Sequence, residues 1–175
     1  FGEIPAAGEH HLLVVRHSCA ARHVIKTKIH KIFTKMKLIS YNVNVIRAAF
    51  GKDFLLWLEH AAPDVLCIQE SKAQPEQIDQ ISLSALGYQS YWHSAQKKGY
   101  SGVGILTKEQ PKHVEYGCGI DYMDTEGRII RADFEDFSVI SVYVPSATNI
   151  DRLDLKMQFC YDFLDYIKKL KQSIP

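Results

Sequence analysis

Residues 63–72, PDVLCIQESK, decide how this chain is read. Val65 to Ile68 form an apolar run entered through Pro63 and Asp64. Such a run, bounded by turn residues, reads as a strand buried on both faces in a sheet covered by helices. Gln69 and Glu70 then place an amide and a carboxylate where the strand leaves the core, and Lys72 follows. In open α/β sheets the crevice beyond the carboxyl ends of the strands is the usual place for a ligand. A carboxylate there suits a hard cation such as magnesium, which takes oxygen donors. Glu70 reads equally as a solvated loop acid paired with Lys72, and spacing leaves both readings open.

Strands and helices alternate outward from this stretch. Leu38 to Val43 reads as a strand closed by Asn42 and Asn44, which share a face because strand side chains alternate. Asp53 to Ala61 reads as a helix with an apolar stripe, capped by Asp53 and stopped by Pro63. Pro75 to Ala85 reads as a second helix, with Ile78 and Ile81 on its buried side and Gly87 at its exit. Tyr88 to His93 and Gly99 to Thr107 read as further strands, the latter entered through glycines with no phosphate-loop ending. Arg128 to Phe134 and Phe137 to Val144 read as a hairpin, and Leu153, Met157, Cys160, Leu164 and Ile167 as the apolar stripe of a last helix.

Bulk properties narrow the class. The 175 residues suit one domain, and 46% hydrophobic content supports a sizeable core. Cys19, Cys67, Cys118 and Cys160 form no CxxC pair, so no zinc or redox motif follows and a reduced, intracellular setting is the simplest expectation. Every apolar run is shorter than the ~20 residues a membrane-spanning helix requires. Residues 1–35 hold six Lys/Arg against two Glu and five of the eight histidines. Residues 36–175 hold the other fifteen cations against eighteen acids. The folded part is therefore no basic coat, and a polyanion would have to be met by a few local cations and a metal. Residues 1–35 keep neither helical nor strand periodicity for long. They read as an extension outside the domain of residues 36–175, either translated from upstream of a start at Met36 or an organellar leader.

Polar groups end three of the strands: Asn42 with Asn44, Glu70, and Tyr143. Two amides and a carboxylate are a reasonable magnesium set together with waters, and a tyrosine hydroxyl can hydrogen-bond a phosphate oxygen or an attacking water. Each residue alone reads as a strand terminator or core residue.

From Met36 onward the chain resembles the exonuclease III-type apurinic/apyrimidinic endonucleases, within the exonuclease–endonuclease–phosphatase superfamily. The resemblance is carried by PDVLCIQESK, SYNVNVIRA at 40–48, GYSGVGILTK at 99–108, EGRIIRADF at 126–134 and YVPSA at 143–147, in that order. It implies an α/β fold: half of a four-layer, DNase I-like two-sheet sandwich, with a mixed sheet and flanking helices. It also implies magnesium-dependent (or manganese-dependent) phosphodiester hydrolysis in DNA, at abasic sites or 3′ ends, as in base excision repair. By resemblance Glu70 is the principal metal carboxylate and Asn42 its neighbour at the metal, with Asn44 beyond them. Tyr143 contacts the scissile phosphate as the catalytic tyrosine, and Ser146 stands where asparagine is common. Tyr100 lies along the DNA backbone and Arg128 supports the site. The expected partner is DNA, in the cytoplasm or at a bacterial nucleoid, with no membrane and no obligate protein partner implied.

The chain departs from the pattern at Tyr41, usually Trp or Phe, and at Val45, where the family has glycine. If that backbone requires positive φ, a β-branched side chain is strained. The family's GD-x-N and Ser-Asp-His segments, which carry the catalytic aspartate and histidine, are absent from the sequence. The expectation is that this polypeptide alone is inactive, and that a bare half-sandwich exposes an apolar sheet face and is poorly soluble. Competing readings are a phosphoesterase of the same superfamily acting on phosphoinositides or phospholipids, and a non-catalytic remnant that binds DNA or a partner.

Overall fold

The computed structural model describes residues 11–17, 25–28, 36–147 and 150–173. Among the described residues nine strands make two sheets. The first has the order β2–β3–β4–β6–β5, from Ile25–Lys28 (β2), Lys37–Asn42 (β3), Val65–Gln69 (β4), Gln89–His93 (β5) and Val103–Thr107 (β6). The second has the order β1–β9–β8–β7, from His11–His17 (β1), His113–Tyr116 (β7), Ile129–Asp133 (β8) and Phe137–Tyr143 (β9). Among the described residues five α-helices accompany the sheets: Ile46–Phe50 (α1), Phe54–Ala61 (α2), Gln80–Ala85 (α3), Asp121–Asp124 (α4) and Ile150–Ser173 (α5). Both sheets are mixed: β3 runs parallel to β4, which runs antiparallel to β6, and β1 runs parallel to β9, which runs antiparallel to β8.

Burial follows the two-residue period of the strands. All five residues of β4 are buried. Leu66 and Ile68 face α1, α2 and α3 in a core with Ile46, Phe54, Leu58 and Leu83. Val65 and Cys67 face the second sheet, in a layer with Val103, Ile105, Ile130, Ala132, Phe134, Phe137 and Val139. The outer face of the second sheet, Ile129, Ile140 and Val142, packs on Met123 of α4 and on Phe159 and Leu170 of α5. The result is four layers, helix–sheet–sheet–helix, as the α/β sandwich expectation holds. The described residues supply strands to both sheets rather than to one sheet alone. Among the described residues each sheet has cover on both faces, so the uncovered face behind the expected poor solubility is not there.

Several local expectations change. The irregular reading of residues 1–35 does not hold for 11–17 and 25–28, which join the edges of β9 and β3. A strand can add to an open ladder through backbone groups without a strong side-chain pattern of its own. His10, His23 and His30 lie outside the described residues. The single helix expected over 75–85 is a 3₁₀ turn at Pro75–Gln77 followed by α3, whose cap is Asp79 accepting from the Ser82 amide at 3.0 Å. Ile78 is buried but Ile81 is exposed, because the break between the two pieces rotates the second. Asp53 does not cap α2 through its side chain; its backbone is left-handed, with φ 60°. On α5 the stripe through Leu153, Met157 and Leu164 faces outward. Phe159, Phe163, Tyr166 and Leu170 take the buried side instead, since stepping by four, three and four also gives them one face and their rings bury more apolar area.

Candidate functional site

The carboxyl ends of β3, β4 and β9 meet at one end of the sandwich. Asn42 and Gln69 are register partners on adjacent parallel strands, so the next residue after Gln69 emerges beside Asn42. Glu70 has a φ of 55°, which interrupts the strand alternation there. Its position is held through the main chain: the Val45 amide donates to Glu70 O at 2.9 Å and the Ser71 amide to Gly102 O at 3.1 Å. Asn44, Val45, Lys72 and Ser101 also have positive φ, between 42° and 82°. Left-handed non-glycine residues are costly and gather where structure must place functional groups. Val45, at φ 82°, is the β-branched residue that the missing glycine led one to expect under strain.

Glu70 is only 8% exposed, which removes the solvated-loop reading even though its pairing with Lys72 is real. The Asn42 amide donates to Oε1 at 2.6 Å, and Lys72 Nζ stands 2.9 Å from Oε2. Burial alone would raise the carboxyl pKa. Hydrogen bonds from Asn42, Lys72 and Tyr143, with the Lys72 charge, outweigh it and hold Glu70 below the ordinary value of 4.5. Lys72 Nζ also donates to Asn44 Oδ1 at 2.7 Å, and Asn42 Oδ1 accepts from the Asn44 amide at 3.0 Å. The expected set Asn42, Asn44 and Glu70 is thus one connected cluster, and Tyr143 reaches it from the other sheet.

Arg128 organises the neighbouring aromatic wall. It is 3% exposed, and its guanidinium donates to Tyr143 O at 2.9 Å and Tyr100 Oη at 3.2 Å. It also pairs with Glu126 and lies 5.0 Å from the Tyr143 ring centroid. Lys97 Nζ stands 5.5 Å from the Tyr100 ring centroid. Ser146 lies further along the chain and accepts from Arg152 at 3.3 Å; no contact ties it to Glu70. The sequence pattern does not single out Glu126 or Lys97, although Glu126 opens the EGRIIRADF segment.

Among the described residues no three His, Cys, Asp or Glu side chains converge as a metal cage. The site offers a single ionised carboxylate and two amide oxygens, which matches a magnesium ion that keeps most of its waters and uses one or two carboxylates. The Lys72 ammonium, cradled by Glu70 and Asn44 oxygens, shows that the cluster favours positive charge.

The family model for the Endonuclease/Exonuclease/phosphatase family matches residues 39–173. The chain is 44% identical over 142 residues to an exodeoxyribonuclease of Bacillus subtilis, covering 80% of this chain and 55% of that protein. It is 35% identical over 144 residues to a DNA-(apurinic or apyrimidinic site) endonuclease of Dictyostelium discoideum, covering 81% of this chain and 40% of that protein. The fold matches the structure of an AP endonuclease from Archaeoglobus fulgidus with a TM-score of 0.70 and 31% identity, over 77% of this chain and 52% of that one. The chain thus spans about half the length of the relatives it matches. Its match over residues 39–173, together with the sandwich that carries Glu70, Asn42 and Tyr143 to one end, places the chain in the Endonuclease/Exonuclease/phosphatase family.

Proposed function

We propose that this chain carries the metal- and phosphate-binding part of a magnesium-dependent DNA repair phosphodiesterase, acting at abasic sites or at 3′ ends. The observation that carries this reading is Glu70: a buried carboxylate kept ionised by groups from both sheets. The names of its relatives support DNA as the substrate, since they are an exodeoxyribonuclease and an apurinic/apyrimidinic endonuclease. Manganese would fit the same oxygen donors. A DNA substrate also argues for an intracellular setting, at the nucleoid in a bacterium, and no described helix is long and apolar enough to cross a membrane.

Glu70 and the Asn42 side-chain oxygen would hold the ion, with Asn44 orienting Asn42 through its amide. Magnesium, when bound, supplies Lewis-acid polarisation of the phosphoryl oxygen. Lys72 would be displaced from Glu70 toward the phosphate as the ion enters. The Tyr143 hydroxyl, released from Glu70, would donate to a phosphate oxygen, and Arg128 would keep the Tyr143 and Tyr100 rings in place against the DNA backbone. Glu70 would be committed to the ion in that arrangement, and its carboxyl is already held below the ordinary value in the ion-free site, so it is a poor base for activating water. We therefore expect the 175-residue chain alone to bind without turning over.

The test is binding of the 175-residue chain to duplex DNA carrying a tetrahydrofuran abasic analogue, with magnesium or with chelator. Magnesium should tighten binding at least tenfold, and Glu70→Ala should abolish that difference while the duplex still binds weakly. Equal binding with and without magnesium would overturn the metal reading. Preference for phosphoinositide vesicles over DNA would overturn the substrate class, and measurable incision would overturn the expected inactivity.

A further inference from the structure

The layer between the two sheets changes character along its length. At one end it is apolar, with Val65, Cys67, Phe134, Phe137 and Val139. Near the site it carries three wholly buried polar residues, Ser40, Gln69 and Ser141. Ser40 Oγ donates to Gln69 Oε1 at 3.2 Å, Gln69 Nε2 donates to Ser141 Oγ at 3.2 Å, and Ser141 Oγ donates to Ile68 O at 3.1 Å. Ser40 and Gln69 belong to the first sheet and Ser141 to the second. The chain of hydrogen bonds therefore crosses from one sheet to the other inside the core.

Its direction is determined. A serine hydroxyl has one hydrogen, and that of Ser141 goes to Ile68 O, so Ser141 can only accept from position 69. Position 69 must then donate to Ser141 while accepting from Ser40. A glutamine does both; an ionised glutamate cannot donate, and leucine can do neither. Buried networks of this kind are rigid when every member is satisfied and costly when one is not.

The same chain sits directly beneath the site. Gln69 precedes Glu70, and Ser141 is two residues before Tyr143 on the same face of β9. Glu70 and Tyr143 come from opposite sheets and meet through a hydrogen bond. Apolar packing between sheets tolerates small sliding, because dispersion contacts have little directional preference. A directional bond between Gln69 and Ser141 does not. We infer that Gln69 is a positioning residue, whose cross-sheet hydrogen bond to Ser141 sets the relative placement of the two sheets so that Glu70 meets Tyr143. The inference rests on the proposed role of that pair, but its test requires neither metal nor turnover.

Glu70→Gln and Tyr143→Phe are combined in a double-mutant cycle, read as the melting temperature of the 175-residue chain in chelator. Residues in contact give non-additive effects, here a discrepancy of about 2–4 °C for a chain of this size. The cycle is repeated in Ser141→Ala, Ser141→Thr, Gln69→Leu and Ser40→Ala backgrounds. The non-additivity should vanish in Ser141→Ala and Gln69→Leu and survive in Ser141→Thr, which keeps the hydroxyl. It should also survive in Ser40→Ala, which removes a buried hydrogen bond of the same network within one sheet only. Should Gln69→Leu fail to fold, Ser141→Ala decides, because it keeps Gln69 while removing its cross-sheet acceptor together with the Ser141 donation to Ile68 O. Undiminished coupling in Ser141→Ala overturns the inference, as does an additive cycle in the unsubstituted chain. Loss of coupling in Ser40→Ala would overturn it too, by showing a general loss of packing rather than positioning across the sheets.

Discussion

The two ends of the sandwich are built on different terms. At the β8–β9 turn the chain closes with Phe134 and Phe137 stacked, their ring centroids 4.5 Å apart and their planes within 13°. Both are buried, and the Phe134 amide donates to Phe137 O at 2.8 Å. At the other end Asn44, Val45, Glu70, Lys72 and Ser101 all have positive φ, and a charged pair lies in a largely buried position. One end contributes stability through apolar area. The other spends some of it on placing polar groups, as expected of a site whose geometry is imposed by its surroundings.

This contrast can be broken most forcefully at the apolar end. Phe134→Ala should cost about 3–5 kcal/mol in urea unfolding, the range for removing a buried aromatic ring. Magnesium affinity of the folded protein should stay within about twofold. A comparable loss of affinity would mean that the two ends are not separable.

At the site end the sign reverses. Val45→Gly should raise stability by about 1 kcal/mol, since glycine accepts φ 82° without the β-branched penalty and loses part of that gain to backbone entropy. Thermal melting would register a rise of about 2–4 °C; a fall would show that the Val45 side chain contributes more packing than its backbone costs.

The smallest effect is electrostatic. The folded-state pKa of Glu70 lies below 4.5, so its hydrogen bonds and ion pair contribute stability that is fully present above pH 4.5. That contribution is lost as pH falls through the lower folded value. Melting temperatures of the unsubstituted chain and of Glu70→Gln, followed from pH 7 to pH 3, should therefore converge below about pH 4.5. A constant difference across the range would remove the ionised Glu70 from the account.

The readable parts of this protein were those where one strand or one motif carries its own pattern. The run Val65 to Ile68 announces a strand buried on both faces, and all of β4 is buried. The β8–β9 hairpin is equally plain, because apolar stretches on either side of Glu135 and Asp136 admit little else. Asn42, Asn44, Glu70, Tyr100, Arg128 and Tyr143 could be named from strand ends and motif resemblance, and the contacts connect them. Helix faces were harder. On α5 two apolar stripes compete, and only the presence of Ile140 and Val142 beneath it selects Phe159 and Leu170 over Leu153 and Leu164. The 3₁₀ turn before α3 is illegible for a similar reason: an Ile at 78 and an Ile at 81 suit one helix until the chain between them bends.

Sequence alone determined the alternation of strands and helices, the family resemblance and the chemistry available at the strand ends, since these depend on local periodicity and residue type. Tertiary structure decided what no local pattern contains. It divided the strands between two sheets, buried Glu70 while pairing it with Lys72, and brought Tyr143 to it from the opposite sheet. It also gave Gln69 a partner 72 positions away. The physical reason is common to all of these: a hydrogen bond across the core depends on where two sheets settle against each other, and that is a property of packing rather than of either strand.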